Sequence, residues 1–581
     1  MNYIVLLQLT LVLIICIVSS NAIQTTTEGR GGKRKEFKVN NQFLKKFHES
    51  PGPLKNDFTC TACVIVLTII DWELEHKGKD WIQKELKEQC KKLKDQSLKY
   101  ACDMVADYLL GEIIEALIQK YTPSEICNKF SFMHCNGCSL NHINPTTLKR
   151  EEGKEAKETQ LKGLLISYIL EKAKKLPYRE HLKGRNVKKS TNELLPLVDI
   201  DEDKFSDLEQ IYRGSDWRGR DCDDHHKGVY PTKIEDKTMD PSIDQNCNGI
   251  AGINPVTKKS YEEELCEGTD SHQVVMFGDS ASSGFHIPPE WFHLQNLSNI
   301  VDLWTTVNDE LDWPQLTYST GFKPEIEGES IYMEMRRRNL CSHRAYQNVG
   351  HNGHRMRDFA DQVAALHMSP QDKPFIGMMA YIGNDICKHS LKDMTSVDSY
   401  KADMIKGLRA LDRVAPKGSK LLVLGLVDGR VLWDTMNNRI HPLGVPYKNV
   451  YSFLTCTDAN PCNTWLNNNA TIRDLASQHA ALLSKTAQQT VDEISSSLQN
   501  ITISFYPFPL QEALAYAKEH DIPAYTLIEP VDGFHPSVHV ADRLFYRFFM
   551  KHISEKLPHW LPAENPHNPT IKKLFGDQGG H

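Results

Sequence analysis

The segment Val274-Val-Met-Phe-Gly278-Asp279-Ser280-Ala281-Ser282 is a short apolar run that stops at glycine, aspartate and small residues. Consecutive apolar side chains of this kind read as a strand buried on both faces, as in parallel sheets covered by helices. The small residues after it make a tight turn at the strand's carboxyl end, where open α/β sheets carry their chemistry and a serine can be displayed as a nucleophile. Working outward, Pro374–Ile382 is a second buried-strand pattern, ending in Gly383-Asn384-Asp385, and Lys420–Val427 is a third. Helical patterns over Ser399–Val414 and Ile472–Leu498 alternate with these strands, and a further helical stretch runs from Ser537. This alternation predicts an α/β fold with a doubly wound, mostly parallel sheet.

The rest of the 581-residue chain bounds what surrounds that sheet. With 40% hydrophobic and 25% charged residues it is globular rather than disordered, and long enough for several domains. The net charge of −7 gives no basic domain of the kind a nucleic-acid binder carries, so no nucleic-acid partner is expected. The apolar run Ile4–Val18, followed by Ser19-Ser-Asn-Ala22, reads as a signal peptide over 1–22, and it is shorter than a membrane span. Its removal discards Cys16 and leaves 14 of the 15 cysteines, an even number suited to an oxidising compartment. Asn296, Asn469 and Asn500 lie in N-x-S/T sequons. The expected location is secreted, lysosomal or a vesicular lumen.

Charge is unevenly spread. Residues 23–56 carry +5 and read as a pro-segment; 57–140 carry −3 and hold clustered cysteines; 141–192 carry +7 without a cysteine and read as a protease-accessible linker. The remaining −16 lies in 193–581, half of it before residue 250. These shifts divide the chain into a signal peptide (1–22), a pro-segment (23–56), a helical module (57–140), a cleaved basic linker (141–192), an Asp-rich segment (193–260) and a catalytic domain (261–581).

In the helical module the cysteines fall at 60, 63, 90, 102, 127 and 135, and Cys63–Glu75 and Tyr100–Tyr121 show amphipathic helical periodicity. A C-x-x-C pair can be redox-active or half a zinc site, but no second pair at zinc spacing follows it, which favours structural disulfides. The spacing resembles the saposin-B-type domain. That resemblance implies the pairs Cys60–Cys135, Cys63–Cys127 and Cys90–Cys102, and apolar helix faces able to cover lipid chains at a membrane or micelle surface. Cys138 stands just outside the six.

Asp199-Ile-Asp201-Glu-Asp203-Lys-Phe205-Ser-Asp207 places carboxylates at alternate positions, as calcium loops do, with the Phe205 carbonyl at the seventh place. The glycine and terminal glutamate of an EF-hand are missing. Asp221-Cys222-Asp223-Asp224 and Asp244-Gln-Asn246-Cys247-Asn248 follow. Carboxylates this crowded repel one another, and a hard cation relieves the repulsion, so two or three structural Ca²⁺ ions are expected, with Cys222 and Cys247 bridged to hold the loops.

Two more blocks accompany Gly278-Asp279-Ser280 and Gly383-Asn384-Asp385. Asn348-Val-Gly-His-Asn-Gly353 is a glycine loop, and Asp532-Gly-Phe-His535-Pro spaces an acid and a histidine by three. In this order the four blocks resemble those of the SGNH (GDSL-type) hydrolase family, which implies a flavodoxin-like three-layer fold. The resemblance makes Ser280 the nucleophile, His535 the general base and then acid, and Asp532 its orienting acid. It assigns the oxyanion hole to the Ser280 N–H, the Gly353 N–H and the Asn384 amide. Ala281 stands where that family often has leucine. Asp279 reads as a tie for the turn rather than the triad acid, and His286, His351, His354 and Arg355 as solvated or structural.

Longer runs, among them Arg218-Gly-Arg-Asp-Cys-Asp-Asp224, Glu310-Leu-Asp-Trp-Pro-Gln-Leu316, Ile528-Glu-Pro-Val-Asp-Gly-Phe-His-Pro536 and Phe575-Gly-Asp-Gln-Gly-Gly-His581, look like signatures of the acyloxyacyl hydrolase family. This resemblance implies a serine esterase that removes secondary fatty-acid chains from the lipid A of lipopolysaccharide. It also implies cleavage into a small and a large subunit that stay disulfide-linked. Cys138 then needs a partner among Cys222, Cys247, Cys266, Cys341, Cys387, Cys456 and Cys462, with Cys456 or Cys462 favoured. The competing readings are a broader secreted phospholipase or lysophospholipase and a non-catalytic lipid-binding protein.

Overall fold

The computed structural model describes residues 56–92, 110–119, 121–128, 194–196, 198–208, 213–289, 311–456 and 459–581. The expected signal peptide, nearly all of the pro-segment, the basic linker, Cys102, Cys135, Cys138, Asn296 and the side chains of Cys60 and Cys63 lie outside them.

Five strands, Gln273–Gly278 (β1), Tyr346–Asn348 (β2), Phe375–Ala380 (β3), Ser419–Leu424 (β4) and Ile501–Tyr506 (β5), form one all-parallel sheet in the order β2-β1-β3-β4-β5. This is the doubly wound order of flavodoxin-like folds, in which the crossovers reverse direction between β1 and β3. Side chains alternate across the pleat. Val275 and Phe277 join one apolar cluster with Phe375, Met379, Leu421 and Val423, while Val274 and Met276 join another with Ile376, Met378 and Leu422. Helices Phe359–Ala365 (α5), Val397–Val414 (α6) and Ala470–Ile494 (α8) cover the first face. Helices Leu510–Glu519 (α9) and Ala541–Lys556 (α10) cover the second. Every residue of β1 and β3 is buried, which is why those two strands read as unbroken apolar runs. Two strands differ from the expectation. β2 is a three-residue edge of Tyr, Gln and Asn, and β5 sets exposed Thr502 and half-buried Ser504 around Ile503, so neither carries that signal.

Before the sheet, Asn56–Lys77 (α1), Lys79–Lys92 (α2), Leu110–Ile118 (α3) and Pro123–Asn128 (α4) bury Val64, Leu67, Ile82, Leu86, Ile114 and Leu117 together. Their apolar cluster continues into the catalytic domain through Phe285, Val531 and residues of helix Tyr447–Cys456 (α7). Among the described residues no helix is long and apolar enough to cross a membrane.

Three disulfides are seen entire: Cys222–Cys247, Cys266–Cys341 and Cys387–Cys462. Cys462 is therefore not the partner of Cys138. The Asn463 side-chain amide bonds the His389 carbonyl (2.9 Å) and the Thr464 hydroxyl bonds that of Ile386 (2.9 Å), which seats Cys462 on Cys387. Cys90, Cys127 and Cys456 are also disulfide-bonded.

Candidate active site

The site stands at the carboxyl ends of β1 and β3, on either side of the switch point. β1 ends at Gly278 with φ +151°, and a Cβ there would lie 2.1 Å from Ser282 Oγ and 2.3 Å from the Ala380 carbonyl oxygen, so only glycine fits. The next residue caps the turn Ser280–Ser283. Asp279 Oδ1 accepts the Ala281 N–H (3.1 Å), and its Oδ2 accepts those of Ile382 (2.9 Å) and Gly383 (3.3 Å). Burial pushes this carboxyl up to about 6. Asp279 thus ties the serine turn to the segment that carries Asn384.

Ser280 Oγ–H donates to His535 Nε2 at 2.6 Å, and His535 Nδ1–H donates to Asp532 Oδ2. The other oxygen of Asp532 accepts the backbone N–H groups of Phe534 (2.8 Å) and His535 (3.1 Å). All three side chains are buried. Tyr451 donates to the Gly533 carbonyl (2.7 Å), His441 Nε2–H to that of Val531 (2.6 Å) and Tyr447 to that of Pro530, holding the loop from a separate element. An imidazole oriented in this way at a serine hydroxyl can remove its proton, and the carboxylate stabilises the imidazolium that forms.

The glycine loop and the asparagine block arrive as a pair. His351 N–H donates to the Gly278 carbonyl (3.1 Å), which brings the loop of Gly353 alongside β1. Asp385 Oδ2 accepts the Met356 N–H (3.0 Å), joining that loop to the Asn384 segment. Asn384 lines the same cleft as Ser280 and His535. Of the histidines read as solvated or structural, His351 and His354 stack on each other (ring centroids 4.3 Å apart).

One residue at this turn was not legible in the sequence. Gln362 of α5 accepts the Gly278 N–H (2.9 Å) and the Tyr381 hydroxyl (2.8 Å), and its amide donates back to the Gly278 carbonyl (2.7 Å). It clamps both backbone groups before the serine turn from 84 residues away, and no local pattern marks it.

The cleft over Ser280 encloses about 670 Å³, its mouth included, and is walled almost wholly by apolar groups, among them Val431, Leu432, Trp465, Phe508, Leu514 and Phe545. Such walls suit a hydrocarbon chain next to the reacting ester.

The Asp-rich segment lies on the edge strand. Gly219 N–H donates to the Tyr346 carbonyl (2.9 Å) and Asn348 N–H to that of Trp217 (2.8 Å), while the Arg213 guanidinium bonds the Gly350 carbonyl (2.8 Å). Within it, carboxylate oxygens of Asp199, Asp201 and Asp203 gather within 4.8 Å of one another, as do those of Asp201, Asp221 and Asp224. One oxygen of each of Asp201, Asp203, Asp207, Asp221 and Asp224 is buried without a hydrogen-bond partner. Burial, aided by neighbouring carboxylates, pushes Asp203 up to about 9, Asp224 to about 8 and Asp221 to about 7. Stripped, mutually repelling oxygens of this kind fit a hard divalent cation. Phe205 is buried with its ring beside those of Tyr230 and His367, whose centroids lie 4.1 Å from each other. Asp223 donates its N–H to Asp221 Oδ1 (2.8 Å), while its own carboxylate pairs with exposed His226 (2.6 Å).

The second loop is built differently. Asp244 accepts the Asn248 (3.1 Å) and Gly249 (2.7 Å) N–H groups, and the amides of Asn246 (2.8 Å) and Asn248 (3.0 Å) donate to buried Glu262. Glu262 sits in the run Tyr261-Glu-Glu-Glu, which reads locally as the acidic start of a helix, so the sequence hid it. Of the two described sequons, Asn469 is exposed at the start of α8, and Asn500 is half-buried with its amide on the Asp412 carbonyl (2.7 Å).

Residues 274–548 match the GDSL-like Lipase/Acylhydrolase family. The chain is 35% identical to the acyloxyacyl hydrolase of Oryctolagus cuniculus over 555 residues, covering 91% of this chain and 95% of that protein. It is 34% identical to that of Homo sapiens, with 92% and 95% covered, and 34% identical to that of Mus musculus, with 90% and 93% covered. Together with the parallel sheet and the apolar cleft, this likeness along nearly the whole chain establishes that the protein belongs to the acyloxyacyl hydrolase family and is an ester hydrolase.

Proposed function

We propose that this chain releases secondary fatty-acid chains, those esterified to the hydroxyl of another acyl chain, from the lipid A of bacterial lipopolysaccharide. The observation that carries this reading is the Ser280–His535–Asp532 relay opening directly into an apolar cleft. His535 takes the Ser280 proton as Oγ attacks the ester carbonyl. The oxyanion is met by the Ser280 and Gly353 N–H groups and the Asn384 amide. His535 then returns the proton to the departing hydroxyl of the retained acyl chain. Water, deprotonated by the same histidine, hydrolyses the acyl-enzyme and frees the fatty acid. The leaving oxygen is itself carried on a long acyl chain, so hydrocarbon lies on both sides of the scissile ester. On this reading the helical module, whose apolar cluster reaches Phe285 and Val531, covers chains drawn from a membrane or micelle.

The protein acts, on this reading, in a secretory or lysosomal lumen after processing into two disulfide-linked subunits. Of the seven cysteines available to Cys138, six pair among themselves, and the seventh, Cys456, is disulfide-bonded, which supports a Cys138–Cys456 link. Two or three Ca²⁺ ions would be held by Asp199, Asp201, Asp203, Asp207, Asp221 and Asp224. When bound they supply the charge compensation that the buried oxygens lack.

Purified protein offered lipopolysaccharide and phosphatidylcholine in parallel tests the substrate. Faster fatty-acid release from lipopolysaccharide supports the reading, and equal or faster release from phosphatidylcholine overturns it. Ser280→Ala abolishes release from either if this serine is the nucleophile.

A further inference from the structure

A second imidazole–carboxylate pair lies beside the first and takes no part in the chemistry above. His286 Nδ1 and Glu529 Oε2 are 2.7 Å apart, with side chains only 9% and 2% exposed. Each partner belongs to one of the two segments that must meet for reaction. On the nucleophile side, the N–H of adjacent Phe285 donates to the Ser280 carbonyl (3.0 Å), and the Phe285 ring stacks on His535 with centroids 4.3 Å apart. His286 is itself fixed, its N–H on the Leu311 carbonyl (2.9 Å) and its carbonyl accepting Trp313 Nε1–H (3.0 Å). On the base side, Glu529 spans the whole loop. Its N–H donates to the His535 carbonyl (2.8 Å), its carbonyl accepts the Gly533 N–H (2.9 Å) and its Oε1 accepts the Val538 N–H (3.1 Å).

These contacts close a circuit. It runs from Ser280 through Phe285 and His286 to Glu529, on to the His535 backbone, and back through the His535 ring to Ser280 Oγ. We infer that His286 and Glu529 are positioning residues that hold the His535 imidazole at Ser280 before substrate binds. Apolar side chains of similar volume would stabilise the fold as well, because a buried ion pair gains little over them. What a hydrogen-bonded pair adds is direction, and misplacing a catalytic group by about 1 Å costs on the order of 10²-fold in rate. The inference rests on the reading of Ser280, His535 and Asp532 as the reacting groups.

The test uses the full chain with a short-chain nitrophenyl ester and a fluorophosphonate probe of serine reactivity. The double variant His286→Phe with Glu529→Leu removes both partners without stranding a buried charge. It leaves the buried Val538 N–H without its acceptor and is expected to unfold somewhat below the parental temperature, still folded at the assay temperature, while kcat falls about 10- to 100-fold, with KM within about twofold. Labelling of Ser280 by the fluorophosphonate slows by the same factor yet still reaches one equivalent. Glu529→Gln, which keeps an acceptor for Val538 and a hydrogen bond to His286, retains most of kcat. A folded double variant with parental kcat, or one whose loss falls on KM alone, overturns the inference. If the double variant does not fold, His286→Asn, too short to reach Glu529, is read by the same criteria. Ser280→Ala separates the two levels. Loss of turnover and labelling there, beside parental kcat in the double variant, leaves the serine mechanism standing and removes the clamp.

Discussion

Two acidic regions of this molecule treat their buried carboxylates in opposite ways. In the Asp532–His535 loop both oxygens of Asp532 are engaged, one by two backbone N–H groups and the other by the imidazole. In the Asp199–Asp224 block each of five aspartates leaves one buried oxygen with no partner. The first carboxylate is complete within the protein and, in the proposed mechanism, compensates the charge that appears on His535. The second group is incomplete by itself, and its burial is tolerable only with protons or a cation. The fold therefore separates an acid that the proposed mechanism uses from acids that the proposed ions would complete, although both are aspartates in loops.

The sharpest way to break this contrast is Asp532→Asn. Asparagine can still accept the two backbone N–H groups, so the loop should stay folded while kcat falls about 10⁴-fold through loss of imidazole orientation. Activity within tenfold of the parent would mean that Asp532 is as dispensable as a surface acid. Asn384→Ala should come next, costing about 10²–10³ in kcat with little change in KM, read on the same ester.

The Asp-rich block responds to a different perturbation. Exhaustive chelation should lower the unfolding temperature, since an ion present at about 100 times its Kd contributes about 2.7 kcal/mol. Elemental analysis should find two or three calcium ions per chain, and an unchanged unfolding temperature would erase the distinction between the two regions. The smallest effect is the pH dependence of the chelated protein. Burial raises Asp203, Asp224 and Asp221 to about 9, 8 and 7 from an ordinary 3.8, so the native state binds more protons than the unfolded chain across that window. Metal-free protein should therefore gain stability as pH falls from about 9 toward 4. Calcium-loaded protein should lose stability over the same fall as protons displace the ion, and parallel curves with and without chelator would contradict the ion's role.

How far the sequence could be read follows from the range of each interaction. The Val274–Ser282 strand and turn, the Pro374–Ile382 strand with Asn384 at its end, and the three-residue spacing of Asp532 and His535 are local patterns, and each lies where that reading put it. The Tyr346–Asn348 edge strand escaped because three polar residues carry no period. Its place is held by Trp217 and Gly219, more than a hundred residues upstream. Gln362, Glu262, Glu529 and the Cys387–Cys462 pairing escaped because each acts on a partner 14 to 243 residues away.

By itself, then, the amino-acid sequence determined the chemistry on offer: a serine after a buried strand, an acid and a histidine one loop apart, and carboxylates too crowded to stand alone. Hydrophobic period and residue type are properties of neighbours along the chain, and they survive without a fold. The tertiary structure alone decided the strand order β2-β1-β3-β4-β5, the meeting of Ser280 with His535 across 255 residues, and which carboxylate oxygens found donors and which were left bare. Those outcomes depend on packing between distant segments, where burial and a matter of ångströms determine whether an aspartate pairs with an imidazole, ties two backbone segments or keeps a bare buried oxygen.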